Sequence, residues 1–516
     1  MSKSYNILHL VLDQLAPHFL PNYGHPIVRA PNIYSLSDGA ATFDNAYTNS
    51  PLCVPARASL FTGHLPSRVN VFDTGSELPA SIPTLGHYLR HAGYATCLSG
   101  KCHFIGPDQM HGFEQRLTSD MCPSDFSMTG NWDLGETPLD FFHTLENVKT
   151  AGIAERSTQQ DHDEETTHQA KQWLYDWVRQ DKDRPFYLYV SLSHPHDPYV
   201  TPKRYWDQYV NSEIDLPTTP FIPVEERDAY SAWTYRHYDR GEYDIHEADI
   251  RNARHAYYGN VSYVDDLLGQ VLDTLNRIGV RDNTIIVLCA DHGDMLGERG
   301  QWYKMTPFEN STRIPLIINL PGQKKSSRIK ENVSLVDLLP TLLDLGTRGE
   351  ALSNQLSIES INGKSLRPLL ENRTTDWHNI AISEMMFEGL TDPAVMIRKG
   401  QYKYVHINES TRLLFNIEED PLELNDLSTD QRWHTEMGDF QNIIADGWDL
   451  ENISRFIKLD QRRRNFIYKA HQVGRRPSWD FQPLSNASEL YHRSHITWLE
   501  ADKRDLFKPK NQKPNA

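Results

Sequence analysis

Residues 5–14, YNILHLVLDQ, place a polar pair, Asp13 and Gln14, directly after a short apolar run. Two further runs have the same texture, at Phe186–Ser193 and Thr284–Ala290, and polar residues follow each of them. Short runs rich in Ile, Val and Leu are typical of strands buried inside a parallel sheet. The opening segment therefore predicts a central strand, and we expect polar side chains to gather where such strands end.

Helical patterns separate these runs and decide the fold class. Apolar residues recur at three- and four-residue steps within Thr84–His91, Glu164–Arg179 and Ile250–Ile278, which is the spacing of an amphipathic helix. Strands and helices alternate over about 350 residues, and this alternation predicts an α/β fold around a mixed, mostly parallel sheet.

The texture of the sequence changes after residue 346. Short segments spaced by turn residues follow, at Ala394–Arg398, Tyr402–Ile407 and Arg412–Ile417, as in a small antiparallel sheet. From Leu459 onward the chain is basic and aromatic. We therefore expect three parts, which are a large domain over 1–346, a smaller α+β subdomain over 347–458, and a C-terminal extension over 459–516 that forms oligomers.

Composition disfavours several classes of function. The formal net charge of the 516 residues is −17, which argues against a nucleic-acid partner because phosphate backbones are bound by excess Lys and Arg. The five cysteines are too irregularly spaced for a disulfide framework. Apolar runs are too short to cross a bilayer, and the first residues include His9 and Asp13 and lack a small-residue cleavage site. We therefore expect a cytoplasmic protein without a membrane partner.

Two strand ends carry residues that could bind a metal ion. Asp13 and Gln14 follow the first run, and Asp291 and His292 follow the run that ends at Ala290. A lone Asp after a strand is as often a turn or cap residue, but two such pairs can project toward one ion. Oxygen-dominated ligation with one imidazole suits Ca²⁺, Mg²⁺ or Mn²⁺ better than Zn²⁺. The pattern predicts a divalent-metal site.

A third cluster lies at residues 50–63, SPLCVPARASLFTG. Cys53 precedes a run of good helix formers, Ala56–Phe61, so we expect Cys53 at a helix N-terminus. Unpaired amide groups and the helix dipole concentrate positive potential there, which favours anions and activates nucleophiles. Arg57 returns toward Cys53 one turn later. Taken alone, a Cys four residues from an Arg is weak evidence for a reactive site, because a free Cys is most often a buried residue that only contributes to packing.

The same stretches resemble the signatures of the type I sulfatases, in the alkaline phosphatase superfamily. CVPAR at residues 53–57 has the Cys-x-Pro-x-Arg form of the first signature, and GKCH at residues 100–103 resembles the second. In that family the Cys is oxidised to formylglycine by a separate maturation enzyme. The resemblance implies an alkaline-phosphatase-like sandwich, a divalent metal, with Ca²⁺ expected and Mg²⁺ or Mn²⁺ as alternatives, and hydrolysis of sulfate monoesters.

The resemblance also implies roles for individual residues. The implied metal ligands are Asp13, Gln14, Cys53, Asp291 and His292, and the implied catalytic residues are Cys53, Arg57, Lys101, His103, His196 and Lys304. Arg57 and Lys101 would stabilise the formylglycine oxygens, and Lys304 would hold the sulfate. His103 would take a proton from the aldehyde hydrate. His196 would protonate the leaving alcohol, with His194 as the alternative donor.

Two further stretches, SHPHDPY at residues 193–199 and WDFQPLSNASELYHR at residues 479–493, resemble the choline-sulfatase branch of that family. The resemblance implies choline O-sulfate as substrate, a homo-oligomer, and pocket residues His143 and either Glu384 or Glu388. A quaternary ammonium needs aromatic faces and a carboxylate. A Trp of that branch falls near Met128 here, so the alternatives for the aromatic wall are Trp132, Phe141 and Phe142.

Other functions stay open at this point. A sulfatase acting on carbohydrates would bind sugar hydroxyls in the same pocket. Gln14 replaces the second Asp of many sulfatases and resembles the phosphonate monoester hydrolases, so a promiscuous phosphonate or phosphate ester hydrolase is a further alternative. Lys101 and His103 match the sulfatase pattern better. Outside enzymes, the remaining candidate is a sulfate-ester binding protein, which steady-state turnover of any sulfate ester would exclude.

Overall fold

The computed structural model describes residues 4–135, 143–238, 242–349, 358–373, 377–407 and 411–484. Its strands are β1 Asn6–Asp13, β2 Ala41–Tyr47, β3 Ala95–Gly100, β4 Gln115–Arg116, β5 Gly152–Ile153, β6 Phe186–Pro195, β7 Val200–Thr201, β8 Thr284–Ala290, β9 Arg313–Asn319, β10 Ser327–Ser334, β11 Ile380–Met385, β12 Ala394–Lys399, β13 Tyr402–His406 and β14 Arg412–Asn416.

The main sheet contains eight of the described strands, in the order β10-β2-β9-β8-β1-β6-β3-β4. Central β1 is parallel to both of its neighbours, β6 and β8. Strand β9 runs antiparallel to β8 and β2. Every residue of β1, β6 and β8 is buried, which explains their unbroken apolar runs. The predicted α/β fold with a mixed, mostly parallel sheet is confirmed.

The strand register brings the carboxyl ends of four neighbouring strands to one edge of the sheet. Leu12 of β1 lies opposite Ala290 of β8, and Asp13 lies opposite Pro195 of β6. Gly100, which ends β3, pairs with Ser191 of β6. The residues that follow these strands therefore share one crevice, which is where open α/β sheets place their ligands.

The helices of the described chain are Pro31–Leu36, Cys53–Thr62, Pro66–Val69, Leu85–His91, Glu146–Lys149, Thr158–Gln180, Lys203–Trp206, Ala229–Tyr238, Glu247–Arg277, Glu309–Thr312, Leu338–Gly346, Arg367–Leu370, His434–Gly447 and Leu450–His471. Thr158–Gln180 and Glu247–Arg277 pack on β6 and on each other. Thr158–Gln180 begins six residues before the predicted helix, because Ser157 and Gln160 form a capping box ahead of a polar first turn. No helix in the described ranges is long and apolar enough to span a membrane.

A second, antiparallel sheet has the order β11-β12-β13-β14, and β11 packs beside β2 and β10. Buried Lys403 of β13 joins this sheet to the helix Glu309–Thr312, because its Nζ donates to Glu309 Oε1 at 2.9 Å. The same Nζ donates to Glu423 Oε1 at 2.7 Å. The helix Leu450–His471, called the C-terminal helix below, packs against residues 126–134. Residue 459, where we expect the C-terminal extension to start, falls inside this helix.

Candidate active site

Cys53 is the first residue of the helix Cys53–Thr62 and is buried beneath the strand ends. Its Sγ lies 3.1 Å from His292 Nε2 and 3.8 Å from Asp13 Oδ1. Lys101 Nζ lies 3.9 Å from the same sulfur. The predicted placement at a helix N-terminus is therefore what the structure shows, and the sulfur faces groups supplied by three separate strand ends.

Four side chains could hold one metal ion. Single ligand atoms of Asp13, Cys53, Asp291 and His292 all lie within 4.8 Å of one another, and all four residues are buried. Two carboxylates and an imidazole form a donor set suited to a hard or borderline divalent cation. The cluster thus fits a metal centre with Cys53 at its edge.

Hydrogen bonds to neighbouring groups leave two atoms of this cluster, His292 Nε2 and Asp13 Oδ1, facing Cys53. His292 Nδ1 lies 3.0 Å from the carbonyl oxygen of Gly293, so Nδ1 carries the proton and Nε2 is free to ligate. Burial lowers the pKa of His292, which keeps the ring neutral. Asp13 directs Oδ2 to Arg57 and Lys101, while Oδ1 faces Cys53 and His292. These residues fit an ion at this point.

Two buried cations compensate the carboxylates. Arg57 Nε donates to Asp291 Oδ2 at 2.9 Å, and Arg57 Nη2 donates to Asp13 Oδ2 at 3.0 Å. Lys101 Nζ lies 2.6 Å from the same Asp13 oxygen. Burial opposes the charged lysine, yet Asp13 and Cys53 raise the pKa of Lys101 well above its ordinary value. The site therefore presents fixed positive charge beside Cys53, which suits an anionic substrate.

Gln14 connects the metal cluster to a third cation. Its backbone N–H donates to Asp291 Oδ1 at 3.1 Å, and its Oε1 accepts from Lys304 Nζ at 2.7 Å. Its amide nitrogen donates to Asp294 Oδ2 at 2.8 Å. Lys304 Nζ also lies 2.6 Å from His196 Nε2. The structure thus brings together Gln14, Lys304 and His196, which are far apart in sequence.

The two histidines considered as proton donors have different surroundings. His194 pairs through Nδ1 with Asp163 at 2.7 Å and packs on Tyr263, both of which belong to the long helices. His196 faces Lys304, and its Nδ1 lies 2.7 Å from the carbonyl oxygen of Asp197. Burial, followed by Lys304, holds the pKa of His196 well below its ordinary value. Of the two, His196 is the one next to the candidate sulfate-binding group.

Asp197 links His196 to the candidate substrate residue His143. Its Oδ2 lies 3.1 Å from His143 Nδ1 and accepts from Asn147 at 2.7 Å. His143 stacks on Tyr303, with ring centroids 4.6 Å apart. Asp197 was not among the residues expected from sequence, although it lies in the SHPHDPY stretch. The sequence feature that could have identified Asp197 is its position next to His196, because a neighbouring carboxylate often orients an imidazole.

His103 lies in the loop after β3 and has a left-handed backbone, with φ +57°. Its backbone N–H donates to Asp120 Oδ2 at 2.8 Å. Neither ring nitrogen has a hydrogen-bond partner among the residues that the structure describes, and the ring lines a small cavity with Val54 and Ala58 of the Cys53–Thr62 helix. The imidazole is thus close to the helix that carries Cys53 and has unused hydrogen-bonding capacity.

The two candidate carboxylates of the substrate pocket are buried and already hydrogen-bonded. Glu384 accepts from the backbone N–H and hydroxyl of Ser67, each at 2.7 Å, and from Trp448 Nε1 at 2.6 Å. Glu388 accepts from the hydroxyl and backbone N–H of Thr74. A carboxylate has about four acceptor positions, so each retains capacity toward a ligand.

The C-terminal helix holds the segment that carries the candidate aromatic wall. Trp132 is buried, its backbone N–H donates to Gln461 Oε1 at 2.8 Å, and its indole donates to the carbonyl oxygen of Phe387 at 2.8 Å. The alternatives Phe141 and Phe142 lie outside the described residues. Trp132 therefore joins the C-terminal helix to the loop that carries Glu388.

Comparison with known families gives three matches along the chain. A family described as "Sulfatase" matches residues 5–347, which is most of the chain. "Choline sulfatase enzyme C terminal" matches residues 457–506. "N-sulphoglucosamine sulphohydrolase, C-terminal" matches residues 297–445. The first match contains the Cys53 cluster, and the second begins within the C-terminal helix.

Individual relatives agree with these matches. A choline-sulfatase of Rhizobium meliloti is 40% identical over 512 residues, covering 97% of this chain and 98% of the relative. An arylsulfatase of Clostridium perfringens is 26% identical over 483 residues, covering 85% of this chain and 93% of the relative. Among solved structures, a phosphonate monoester hydrolase of Agrobacterium radiobacter superposes with a TM-score of 0.69 at 23% identity, covering 86% of this chain and 95% of that one. The last similarity concerns the fold.

Proposed function

The chain belongs to the sulfatase family and hydrolyses sulfate esters, and we propose that its substrate is choline O-sulfate, which it converts to choline and sulfate. The observation that carries this proposal is the joint match to a choline-sulfatase over 97% of the chain and to the choline-sulfatase C-terminal family over residues 457–506.

We propose that Cys53 is matured to formylglycine and that Asp13, Gln14, Asp291 and His292 hold a divalent ion, with Ca²⁺ as the expected ion because oxygen donors predominate. When present, the aldehyde hydrate supplies a nucleophilic oxygen and the ion raises its acidity. The buried ligand atoms of Asp13, Asp291 and His292 support this assignment, because they lie within 4.8 Å of one another beside Cys53.

The cations are placed to bind the sulfate group. Gln14 Oε1 holds the Lys304 ammonium at 2.7 Å, and no carboxylate among the described residues forms an ion pair with it. A cation without a carboxylate partner has more of its charge available to an anion. We therefore assign Lys304 to the sulfate oxygens, and Arg57 and Lys101 to the oxygens that replace the Cys53 sulfur.

His196 is our proposed general acid. In the structure its Nδ1 donates to the carbonyl oxygen of Asp197, so Nε2 is free of a proton and accepts from Lys304. A sulfate anion bound beside Lys304 would offset part of the ammonium charge and raise the proton affinity of His196. Protonation of the departing alkoxide matters more for choline than for an aryl alcohol, because the alkoxide is the poorer leaving group.

His103 is our proposed base for the return step. Its ring nitrogens have no partner in the described part of the chain, so one of them can accept a proton from the group at position 53. The backbone of Lys101–His103 holds both this imidazole and the Lys101 ammonium. Because they share one loop, the His103 imidazole and the Lys101 ammonium would keep a fixed position relative to each other.

For the ammonium end of the substrate we propose His143, Trp132 and one of the two carboxylates, Glu384 or Glu388. Trp448 donates to Glu384, while Glu388 lies near buried Asp73 and next to the segment that carries Trp132. An aromatic face with a carboxylate is the arrangement that attracts a quaternary ammonium. A single Glu→Gln change at each position distinguishes the two.

We also propose that the enzyme forms a homo-oligomer through its C-terminal region. Leu459 and Phe466 of the C-terminal helix and Val473, two residues after its end, are 45%, 72% and 81% exposed, and exposed apolar patches commonly mark contact surfaces. Analytical ultracentrifugation of the wild type and of Phe466→Glu tests this, and a monomeric wild type would contradict it.

The substrate proposal is tested by steady-state kinetics with choline O-sulfate, 4-nitrophenyl sulfate and glucosamine 6-sulfate. We expect the highest kcat/KM for choline O-sulfate. A carbohydrate sulfatase is the second candidate, favoured by the match of residues 297–445 to the N-sulphoglucosamine sulphohydrolase C-terminal family. A higher kcat/KM for the sugar sulfate would support that candidate and overturn ours.

A further inference from the structure

Asp120 lies directly beneath the loop that carries two of the proposed catalytic residues. Its Oδ2 accepts the backbone N–H of Cys102 at 2.9 Å and of His103 at 2.8 Å. Its Oδ1 accepts the backbone N–H of Met121 at 2.9 Å. The side chain is only 6% exposed, so these hydrogen bonds form where water does not compete.

A buried arginine fixes the carboxylate in turn. Arg116 Nη2 donates to Asp120 Oδ2 at 2.9 Å, and Arg116 Nη1 donates to the carbonyl and side-chain oxygens of Gln109. Burial opposes the ionised carboxyl, yet Arg116 holds the pKa of Asp120 below its ordinary value. Asp120 Oδ2, which accepts from two consecutive backbone N–H groups, therefore belongs to an ionised carboxylate whose orientation is fixed.

The hydrogen bonds to Asp120 stabilise a backbone that is otherwise unfavourable. His103 has φ +57°, a conformation that costs a non-glycine residue roughly 1 kcal/mol or more. A second contact involves Lys101, whose carbonyl oxygen accepts from Arg57 Nη1 at 2.7 Å. The loop is thus held through its amides by Asp120 and through a carbonyl by Arg57, and these two anchors determine where the side chains of Lys101 and His103 project.

We propose that Asp120 is a positioning residue for catalysis, which acts through the backbone of Cys102 and His103 to hold Lys101 and His103 against the group at position 53. This inference rests on the roles proposed above for Lys101 and His103, but it does not depend on choline as the substrate. Asp120 touches neither the metal cluster nor the proposed substrate contacts, so its effect is on the turnover step.

The chain offers a matched control at Asp108. Its Oδ1 accepts the backbone N–H of Met110 at 3.0 Å and of His111 at 3.1 Å, and His111 also has a positive φ, of +37°. His111 packs on Phe104 and has no proposed catalytic role. Asp108→Asn therefore removes another carboxylate that accepts two consecutive backbone N–H groups, one of them from a residue with positive φ, without touching Lys101 or His103.

The test compares Asp120→Asn with Asp108→Asn, using 4-nitrophenyl sulfate, because this substrate does not require an ammonium pocket. An Asn side chain keeps the shape but accepts more weakly and carries no charge. We expect Asp120→Asn to lower kcat by about 10- to 100-fold, because small displacements of catalytic groups have effects of this size. KM should stay within about twofold, and Asp108→Asn should leave kcat within about twofold of the wild type.

Urea unfolding gives the free energy of unfolding of each variant, so that a loss of kcat through mispositioning can be distinguished from a loss through general destabilisation. Equal losses of kcat in the two Asn variants, or an Asp120→Asn enzyme with wild-type kcat, would overturn the proposal. If Asp120→Asn does not fold, Arg116→Lys provides the second test, because it retains the positive charge but loses the bonds to Gln109. For Arg116→Lys we expect a smaller fall in kcat than for Asp120→Asn, with unchanged KM. Wild-type kcat in folded Arg116→Lys would overturn the proposal. Absence of turnover of choline O-sulfate by the wild type would contradict only the substrate proposal.

Discussion

The Arg464→Ala variant tests how the C-terminal helix is attached to the large domain. Arg464 forms a bidentate ion pair with Asp73, with Nη1 2.7 Å from Oδ1 and Nη2 2.9 Å from Oδ2. The Asp73 side chain is fully buried and that of Arg464 is 5% exposed. A third contact joins Arg464 Nε to Asp460 at 2.7 Å. The pair closes a contact between residues that are 391 positions apart in sequence.

The expected magnitude follows from the burial of both partners. Removing one member of a buried pair leaves the other charge without a partner and typically costs about 3–5 kcal/mol. Arg464 holds the pKa of Asp73 down against burial, so without the arginine the carboxyl would take up a proton or admit water. Either response should loosen the C-terminal helix, and Thr129 would lose a donor from the same guanidinium.

The assay is native-state amide hydrogen exchange of the C-terminal helix. A loss of about 3 kcal/mol corresponds to exchange that is faster by roughly 100-fold. Arg462→Ala is the control, because Arg462 also joins this helix to the neighbouring segment, through Asp133, but is 63% exposed. Solvent screens that pair, so exchange should stay close to that of the wild type. Similar exchange rates in both variants would refute the argument from burial.

Three further predictions concern the site and its carboxylates. Asp291→Ala, or removal of divalent ions by a chelator, should abolish turnover while circular dichroism stays near that of the wild type, and full activity of metal-free protein would contradict the metal site. Glu384→Gln or Glu388→Gln, whichever carboxylate faces the ammonium, should lower kcat/KM for choline O-sulfate by roughly tenfold and leave 4-nitrophenyl sulfate nearly unaffected; equal losses on both esters would mean a general role. Burial, with Asp73 nearby, raises the pKa of Glu388 to about 7. Because the folded pKa exceeds the unfolded value, this carboxyl contributes stability that is fully present below about pH 4.3 and is lost as the pH rises toward 7. Urea unfolding should show the wild type losing stability relative to Glu388→Gln over that interval, and a constant difference would contradict the shift.

The strand ends of the site were predictable because they obey local rules. The run Thr284–Ala290 has the bounds of β8 itself, since each residue is buried and no polar alternation interrupts it. The helix formers after Cys53 likewise predict the helix that begins there. Once the central strands are parallel, Asp13 and Asp291 necessarily meet at one edge.

Other parts of the molecule depend on contacts that no local pattern encodes. Strand β9 runs antiparallel to its neighbours, although its apolar run resembles that of a parallel strand. Glu384 finds its donors at Ser67, which is 317 residues away, and Glu388 finds its donors 314 residues away at Thr74. Asp120 resembles an ordinary loop carboxylate in the sequence, and only the folded chain shows which amides it accepts.

We propose that a formylglycine made from Cys53 hydrolyses choline O-sulfate in this site. The most direct measurement combines mass spectrometry of the peptide that contains Cys53 with sulfate release from choline O-sulfate, on a series of preparations matured to different extents. We expect kcat to rise in proportion to the fraction of aldehyde at position 53 and to approach zero for the unmodified cysteine. Full turnover by protein that carries only the thiol, or fully matured protein that releases no sulfate from choline O-sulfate, would contradict this proposal.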